Sequence, residues 1–221
     1  MMEQKELIAE IKKMDTASIS DAMDKLGIPC GLEGVQAVVE GKKICGEAFT
    51  VHYIPCGVEK GTVGDFIDDV KPGQVVVIDN GGRTYCTVWG DIMTFTAKTK
   101  GIEGTVIDGV CRDVNGIKEL GYGIYTKGKY MVTGKERVTV DKVNIPVAVS
   151  GVQVCPGDII LGDDSGVLVI PKDHAEEVLK IAQHIEEVEQ KIIAEVKNGS
   201  SLKDARKKLG YHSLQSKPEE A

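Results

Sequence analysis

The order of hydrophobic and polar positions divides the chain into a helical start, a β-rich middle and a helical end. Residues 6–13 carry apolar side chains at helical spacing, and Thr16 or Ser18 can cap a second helix that Gly27 ends. From residue 28 onward, short runs of β-forming residues alternate with glycine and proline. These runs predict strands at 44–54, 74–79, 104–108, 123–126, 137–140, 145–149, 158–161 and 167–170.

Two helices are predicted inside the β-rich middle. Residues 91–100 have helical spacing despite several threonines, and Gly101 fits a C-terminal cap. This helix lies between predicted strands 74–79 and 104–108, so the three segments form a β-α-β unit. Residues 114–120 predict a shorter helix that Gly121 stops.

Residues 174–197 predict a long amphipathic helix. At a rise of about 1.5 Å per residue it would be about 35 Å long, which exceeds what covering one sheet of a domain of this size requires. We therefore expect part of it to pack on a neighbouring subunit. Ser201 with Asp204 can cap a last short helix. The apolar stripe of the long helix is Val178, Ala182, Ile185, Val188, Ile192 and Val196.

The expected organisation is one domain over residues 1–221. It would comprise N-terminal helices over 1–27, an α/β core over 28–172, C-terminal helices over 173–212 and a disordered tail over 213–221. Hydrophobic residues are 42% and charged residues 28%, as in globular proteins. There is no membrane-spanning apolar run and no signal-peptide pattern, so we expect a cytoplasmic protein that does not enter a membrane.

Charge and composition also argue against several classes of function. A net charge of −7 and only 5% aromatic residues are unfavourable for nucleic-acid binding. The six cysteines are scattered without a C-x-x-C pair, which favours reduced thiols, and the four histidines lack zinc-site spacing. The glycine-rich segment 79–83 lacks the nucleotide-binding patterns. It could instead wall an active site, with Arg83 reaching a distal substrate carboxylate.

The most informative chemistry lies between Asp91 and Asp113. A carboxylate opens the predicted helix 91–100, and an adjacent Arg112-Asp113 pair follows the next strand. Aspartate is a hard oxygen ligand for Mg²⁺ or Mn²⁺, and arginine presents a planar fork to carboxylate or enolate oxygens. Simpler alternatives remain open. Asp113 could cap the helix 114–120, with Arg112 as its surface ion-pair partner. The helix dipole favours a carboxylate such as Asp91 in the first turn of a helix whether or not it binds a metal.

The spacing Asp91, twenty residues, Arg112-Asp113 resembles the D-x20-R-D signature of the class II pyruvate aldolases. These enzymes cleave 4-hydroxy-4-methyl-2-oxoglutarate and 4-carboxy-4-hydroxy-2-oxoadipate, and share a superfamily with the regulator of ribonuclease E activity A. Supporting matches are T-A-S-I-S-D-A-M from Thr16, G-E-A-F-T-V from Gly46, W-G-D from Trp89, G-x-x-G-x-V-I-D-G-x-x-R-D from Gly101 and V-x-P-G-D-I-I-L-G-D-D-S-G-V-L-V-I-P from Val154.

The resemblance implies an α/β fold, a layered αββα sandwich of the swivelling, phosphohistidine-domain-like type, assembled as a trimer or a dimer of trimers. It also implies a Mg²⁺ or Mn²⁺ site in which Asp113 is a direct ligand and Asp91 acts through metal-bound water. A glutamate from a neighbour's C-terminal helix would complete the site through water. Glu189 matches best, with Glu187 or Glu186 as substitutes, although such acids can also form a solvated helix face.

The resemblance further implies a metal-dependent lyase that releases pyruvate from short 2-oxo acids. Arg112 would stabilise the pyruvate enolate, and the helix start at Gly90, Asp91, Ile92 and Met93 would bind the substrate carboxylate. Oxaloacetate decarboxylation passes through the same enolate and would be a second activity. Two alternatives remain: a non-catalytic protein that regulates ribonuclease E, and an enzyme of the same fold acting on another hydroxy acid.

Overall fold

The computed structural model describes residues 2–58, 60–211 and 214. The helices are α1 (Gln4–Ile11), α2 (Thr16–Leu26), α3 (Asp91–Lys100), α4 (Val114–Leu120), α5 (Ala175–Lys197) and α6 (Leu202–Lys208). The strands are β1 (Gln36–Ala37), β2 (Ile44–Pro55), β3 (Val75–Thr87), β4 (Gly104–Cys111), β5 (Ile124–Lys129), β6 (Val138–Val143), β7 (Val147–Val149), β8 (Val152–Val154), β9 (Ile159–Asp163) and β10 (Gly166–Ile170). Short 3₁₀ helices cover Asp65–Asp69 and Lys172–His174.

Strand β2 changes partners along its length and so joins two sheets. Its first part, from Ile44 to Glu47, pairs antiparallel with β9, and its next part, from Ala48 to His52, pairs parallel with β3. Strands β4 and β5 continue the parallel order beyond β3, and β1 closes that edge. On the other side, β10 follows β9, while β6 pairs with the end of β2. One strand therefore fixes how the two sheets sit on each other.

Three hydrophobic clusters lie between four layers. Because strand side chains alternate between faces, Val76 and Ile78 of β3 pack with α3 and α4, whereas Val75 and Val77 pack toward the second sheet. The opposite face of that second sheet packs on α1, α2 and α5, for example through Leu161. The order is helices, sheet, sheet, helices, which confirms the predicted αββα sandwich with its N-terminal helices and long C-terminal helix.

Helices α3 and α4 begin and end where the sequence pattern places them, and α5 begins one residue later. The prediction for β3 was wrong, because this strand continues from residue 79 to Thr87 instead of ending. Its register on β4 shifts between Asp79 and Arg83, where Gly81 and Gly82 have φ of 58° and 67°. Glycine adopts these angles without steric cost, so the strand makes an excursion and then resumes pairing. Segment 79–83 therefore lies within a strand.

Helix α6 and Leu214 pack on the last turns of α5. Val188 and Ile192 form a small cluster with Ala205 of α6 and with Leu214, while Val196 of the predicted apolar stripe is exposed. The expected disordered tail over 213–221 lies outside the described residues apart from Leu214. Within the part of the chain that the structure describes, no helix is long and apolar enough to cross a membrane.

Asp163, at the end of β9, anchors the N-terminal helices to the second sheet. Its carboxylate accepts hydrogen bonds from the backbone N–H of Thr16 (2.8 Å), the Thr16 hydroxyl (2.7 Å) and the N–H of Ser165 (2.8 Å). Thr16 is thus not the cap of α2; Asp15 takes that role by accepting from Ser18 N at 2.7 Å. Burial opposes ionisation of Asp163, but these hydrogen bonds outweigh it and lower the pKa of the carboxyl.

We predict that Asp163→Asn lowers the free energy of unfolding by about 1–3 kcal/mol, because an amide has one acceptor oxygen for three donors. A lowered folded-state pKa stabilises the fold above the aspartate pKa of unfolded chains, about 3.9. That contribution is lost as the pH falls through the lower pKa of the folded state. Guanidinium unfolding between pH 2 and 7 should show a weaker acid dependence in the variant. Asp173→Asn is the exposed control, and equal stability of all three proteins would contradict the anchoring role.

Candidate active site

Parallel pairing of β3 with β4 brings the two halves of the candidate motif together. Helix α3 follows β3, and the Arg112-Asp113 pair follows β4, so both segments leave the sheet at the same edge. The N–H of Arg112 donates to Trp89 O at 3.0 Å, which ties the two connections to each other. The N–H of Asp91 lies 3.4 Å from Asp113 Oδ2. The convergence of two acids and one arginine expected from the sequence is therefore present.

Asp113 has a left-handed backbone conformation, with φ 55° and ψ 37°. Aspartate tolerates this region better than most residues, and Glu136, Asn144 and Ser150 outside the cleft also have positive φ; such residues nevertheless cluster at active sites. Asp113 occupies the N-cap position of α4, yet its side chain makes no capping hydrogen bond, so helix capping does not explain this residue. The alternative ion pair is present, with Arg112 Nε 3.3 Å from Asp113 Oδ2. Both side chains nevertheless remain more than a third exposed, and both line a cleft.

The cleft has a volume of about 420 Å³ and is formed by four segments. They are residues 61–64, residues 87–93, the Arg112-Asp113 pair, and Thr133 with Lys135. Trp89 forms the floor of the cleft. Its ring is buried and stacked on that of Tyr122, with the ring centroids 6.3 Å apart. The indole Nε1 donates to Thr94 Oγ1 at 2.9 Å. Fully packed aromatic rings give the open cleft a rigid base.

The first turn of α3 lines the cleft with backbone N–H groups. The N–H of Ile92 donates to Asp91 Oδ1 at 2.8 Å, and that of Thr94 donates back to Gly90 O at 3.0 Å. The N–H of Met93 has no hydrogen-bond partner among the described residues. A helix N-terminus carries a partial positive charge and accepts anions at its unpaired N–H groups. This turn can therefore bind a small carboxylate.

Three glycines allow close approach around the acids. A Cβ at Gly90 would overlap Asp113 Oδ2, and one at Gly116 would lie 3.2 Å from Asp91 Cβ. A Cβ at Gly64 would lie 2.6 Å from the sulfur of Met93. A Cβ at Gly90 or Gly64 would therefore push the Asp113 carboxylate or the Met93 sulfur out of its present position, and one at Gly116 would require a shift of a few tenths of an ångström at Asp91.

All six predicted residues from the β-α-β unit line the cleft: Gly90, Asp91, Ile92, Met93, Arg112 and Asp113. Glu189 does not line the cleft of its own chain. It is half-buried on α5, where burial and the nearby Asp21 and Asp15 raise the pKa of its carboxyl. Its expected role from a neighbouring subunit stays a prediction. The substitutes Glu186 and Glu187 line a groove between α1 and α5.

The opposite wall of the cleft differs from the one predicted. Segment 79–83 does not line it, and the Arg83 guanidinium donates to Asn80 O at 2.7 Å and Tyr53 O at 3.4 Å. Residues 61–64, Thr133 and Lys135 form this wall instead. Sequence reasoning missed them because they are distant in sequence from the motif and belong to loops. The glycines at both ends of Gly61-Thr-Val-Gly64 were the one sequence signal that could have indicated this wall.

The carboxylates present suit a hard divalent cation completed by other ligands. Within the described residues no group of three or more histidine, cysteine, aspartate or glutamate side chains could hold a metal ion. Asp91 and Asp113 nevertheless offer two adjacent carboxylates in an open cleft. Mg²⁺ keeps several waters and is commonly held by one or two carboxylates together with substrate oxygens. The donor set therefore fits Mg²⁺ or Mn²⁺, whereas a closed zinc site would need four nitrogen or sulfur ligands.

Residues 16–169 match the family model RraA-like, described as Aldolase/RraA. The chain belongs to this RraA-like family. A relative from Halalkalibacterium halodurans, named "Putative 4-hydroxy-4-methyl-2-oxoglutarate aldolase", is 34% identical over 80% of this chain and 82% of its own length. Protein DlpA of Legionella pneumophila is 41% identical over 93% of this chain, which spans only 34% of DlpA.

Two solved structures resemble the RraA-like chain over most of its length. An uncharacterized protein from Pseudomonas syringae is 41% identical, with a TM-score of 0.86, covering 91% of this chain and 97% of that one. Streptomyces coelicolor RraAS2, described as an unusual member of the RNase ES inhibitor RraA protein family, is 29% identical. Its TM-score is 0.79, with 86% and 96% of the two chains covered. The chain therefore shares its fold with a protein described as belonging to the RNase ES inhibitor RraA family.

We predict that Gly90→Ala weakens Mn²⁺ binding at least about tenfold. The new methyl group displaces the Asp113 carboxylate, and a displaced ligand lowers the affinity of a site for its metal on this scale. Titration followed by electron paramagnetic resonance measures the affinity directly. Gly31→Ala is the matched control, since a Cβ there meets nothing within 4 Å and the residue has no positive φ. Unchanged Mn²⁺ affinity in a folded Gly90→Ala protein would contradict the proposed geometry.

Proposed function

We propose that this RraA-like chain is a divalent-metal-dependent lyase that releases pyruvate from 4-hydroxy-4-methyl-2-oxoglutarate-type 2-oxo acids. The observation that carries the proposal is Asp113, whose backbone is left-handed and whose carboxylate is free of helix capping and lies beside Arg112 and the start of α3. Strain of this kind persists only where the surrounding structure imposes it. The aldolase names of relatives point to the same class of reaction.

In this proposal the 2-oxo acid end of the substrate binds between the α3 N-terminus and Arg112. The unpaired N–H of Met93 binds the substrate carboxylate at the positive end of the helix, and that of Ile92 joins it once its present acceptor, the Asp91 carboxylate, turns toward water. Asp113 would hold Mg²⁺ or Mn²⁺ directly and Asp91 through water. When bound, the cation supplies Lewis-acid polarisation of the 2-oxo group.

Cleavage breaks the bond between C3 and C4 of the substrate. The C4 hydroxyl proton passes through a bridging water to the Asp91 carboxylate, C4 becomes a carbonyl carbon, and the electron pair of the broken bond forms the pyruvate enolate. Arg112 donates hydrogen bonds to the developing enolate oxygen, so its charge is stabilised more in the transition state than in the substrate. Return of that proton from Asp91 through water to C3 completes the reaction, and 4-hydroxy-4-methyl-2-oxoglutarate yields two pyruvates.

Oxaloacetate decarboxylation requires the same groups. There the bond from C3 to the distal carboxylate breaks, CO₂ leaves, and the same enolate forms and is protonated at C3. No C4 hydroxyl proton is removed, so Asp91 is less important than in the aldol reaction. We therefore expect oxaloacetate decarboxylase activity as a second reaction of the same cleft.

The proposed active form is a homo-oligomer, a trimer or a dimer of trimers, in which a neighbour supplies Glu189. Two apolar side chains of α3 support an interface beside the cleft: Ile92 is 78% exposed and Phe95 is 62% exposed. They are three residues apart and so lie on one face of the helix. Adjacent exposed apolar side chains of this size are typical of protein interaction sites.

A regulatory role without catalysis is the second candidate, favoured by the likeness to RraAS2. In that role the chain would bind ribonuclease E or a related enzyme. A binding surface does not need an uncapped carboxylate beside an arginine in a cleft, which is why the lyase is preferred. A third possibility keeps the mechanism and changes the substrate to another hydroxy acid.

We predict pyruvate release from 4-hydroxy-4-methyl-2-oxoglutarate and from oxaloacetate with Mg²⁺ or Mn²⁺, and its loss with a chelator. Asp113→Asn should reduce kcat at least about 1000-fold while leaving stability nearly unchanged, because asparagine tolerates the left-handed conformation but removes the charge. Asp113→Ala should be as inactive and also less stable. Coupled detection of pyruvate and thermal unfolding measure both effects. Absence of turnover by folded wild-type protein with metal would refute the lyase for these substrates.

We predict that two inactive variants restore activity when assembled together. Asp113→Asn lacks the metal ligand, and Glu189→Gln lacks the acid that a neighbour supplies, so a mixed oligomer contains some complete sites. Subunits should be mixed under dissociating conditions, reassembled and assayed, with oligomer mass followed by light scattering. Glu187→Gln is the control on the same helix. A monomeric wild-type protein with full activity, or no recovery on mixing, would contradict the shared site.

A further inference from the structure

Lys135 is a cation of the cleft that the mechanism does not use. Among the lining residues the positively charged side chains are Arg112 and Lys135, and Arg112 already contacts Asp113. Lys135 is exposed, and its ammonium has neither an ion pair nor a hydrogen bond with any described residue. A free ammonium group in a substrate cleft is available to bind an anion.

The backbone that carries Lys135 is fixed to the end of β3. The N–H of Thr87 donates to Val132 O at 2.9 Å, and Thr87 forms an isolated parallel bridge with Thr133. Gly134 packs so closely on the carbonyl oxygen of Thr87 that a Cβ at position 134 would overlap that oxygen. The carbonyl oxygen of Gly134 accepts a hydrogen bond from Val138 N at 2.9 Å. The Cα of Lys135 therefore has a defined position beside the residues that lead into Gly90, while its long side chain can adjust.

The charges of the cleft indicate what kind of anion fits. The lining carries two carboxylates, Asp91 and Asp113, and two cations, Arg112 and Lys135, so its formal charge is zero. A divalent cation adds two positive charges, of which the neighbour's Glu189 would offset one and the substrate's first carboxylate, at the α3 end, the other. Lys135 lies on the opposite wall, so it is left without an anion unless the substrate carries a second carboxylate. Burying an uncompensated charge beneath a bound ligand is unfavourable.

We propose that Lys135 binds a second carboxylate of the substrate, remote from the 2-oxo acid end, and thereby selects dicarboxylic over monocarboxylic 2-oxo acids. This inference rests on the proposed function, because it assumes that the 2-oxo acid end lies at α3 and Arg112. It assigns to Lys135 the role that the sequence suggested for Arg83, whose guanidinium is bonded to backbone carbonyls away from the cleft.

Two unreactive probes separate binding from catalysis. 2-Oxoglutarate and 2-oxopentanoate have the same chain length and the same 2-oxo acid end, but only the first carries a second carboxylate. Calorimetric titration with Mg²⁺ present should show 2-oxoglutarate binding about 10- to 100-fold more tightly, the value of one charge-assisted hydrogen bond. Lys135→Met should abolish this difference in affinity by weakening the binding of 2-oxoglutarate alone, and Lys135→Arg should retain the difference.

The control is Lys142→Met, which removes an exposed lysine of β6 outside the cleft. It should leave the preference unchanged. A Lys135→Met protein that keeps the preference, or loses affinity equally for both probes, would overturn the inference, as would a wild-type protein that binds neither probe. If the preference depends on Lys135 but no substrate is cleaved, the lyase fails while the dicarboxylate site stands.

Discussion

Parallel pairing of β3 with β4 is the constraint on which the cleft depends. Strands that run side by side end at the same edge of the sheet, so the residues that follow them meet regardless of their separation in sequence. The hydrogen bond from Arg112 N to Trp89 O extends this pairing beyond the last ladder residues. Asp91 and Asp113 consequently lie within reach of each other, although a helix, a turn and a strand separate them along the chain.

The cleft combines rigid support with local strain. Trp89 and its stacked partner Tyr122 are buried, and their packing resists movement of the segment that carries Gly90. Against this support, Asp113 is kept in a left-handed conformation that costs free energy. If Asp113 relaxed to the extended angles usual for an N-cap residue, as at Asp15, its carboxylate could cap α4 instead of lining the cleft. The stability of the surrounding layers therefore maintains an arrangement that local backbone preference disfavours.

Much of this arrangement could be predicted from the sequence because local signals marked it. Helix α3 is bounded by Gly90 and Gly101, and α4 ends at Gly121. The bounds of both helices, and the positions of the D-x20-R-D residues at their starts, could therefore be predicted from neighbouring residues. The continuation of β3 could not be predicted, since glycines at 81 and 82 are typical of a turn and only pairing with β4 shows that the strand resumes. The wall formed by residues 61–64 and Thr133 depends on tertiary packing, and any contribution of Glu189 depends on a second subunit.

Arg83 and Lys135 show why the distal part of a site is the hardest to read from sequence. Both are cations near glycines, and Arg83 follows a conspicuous glycine-rich segment, so composition alone favours it. Their availability differs, however, because the Arg83 guanidinium donates to two backbone carbonyls, whereas the Lys135 ammonium has no partner among the described residues. Guanidinium groups satisfied by buried carbonyls cannot turn toward a ligand without leaving those acceptors unpaired. Hydrogen bonding in the folded chain, which the sequence does not show, thus distinguishes the cation that is available to a ligand from the one that is not.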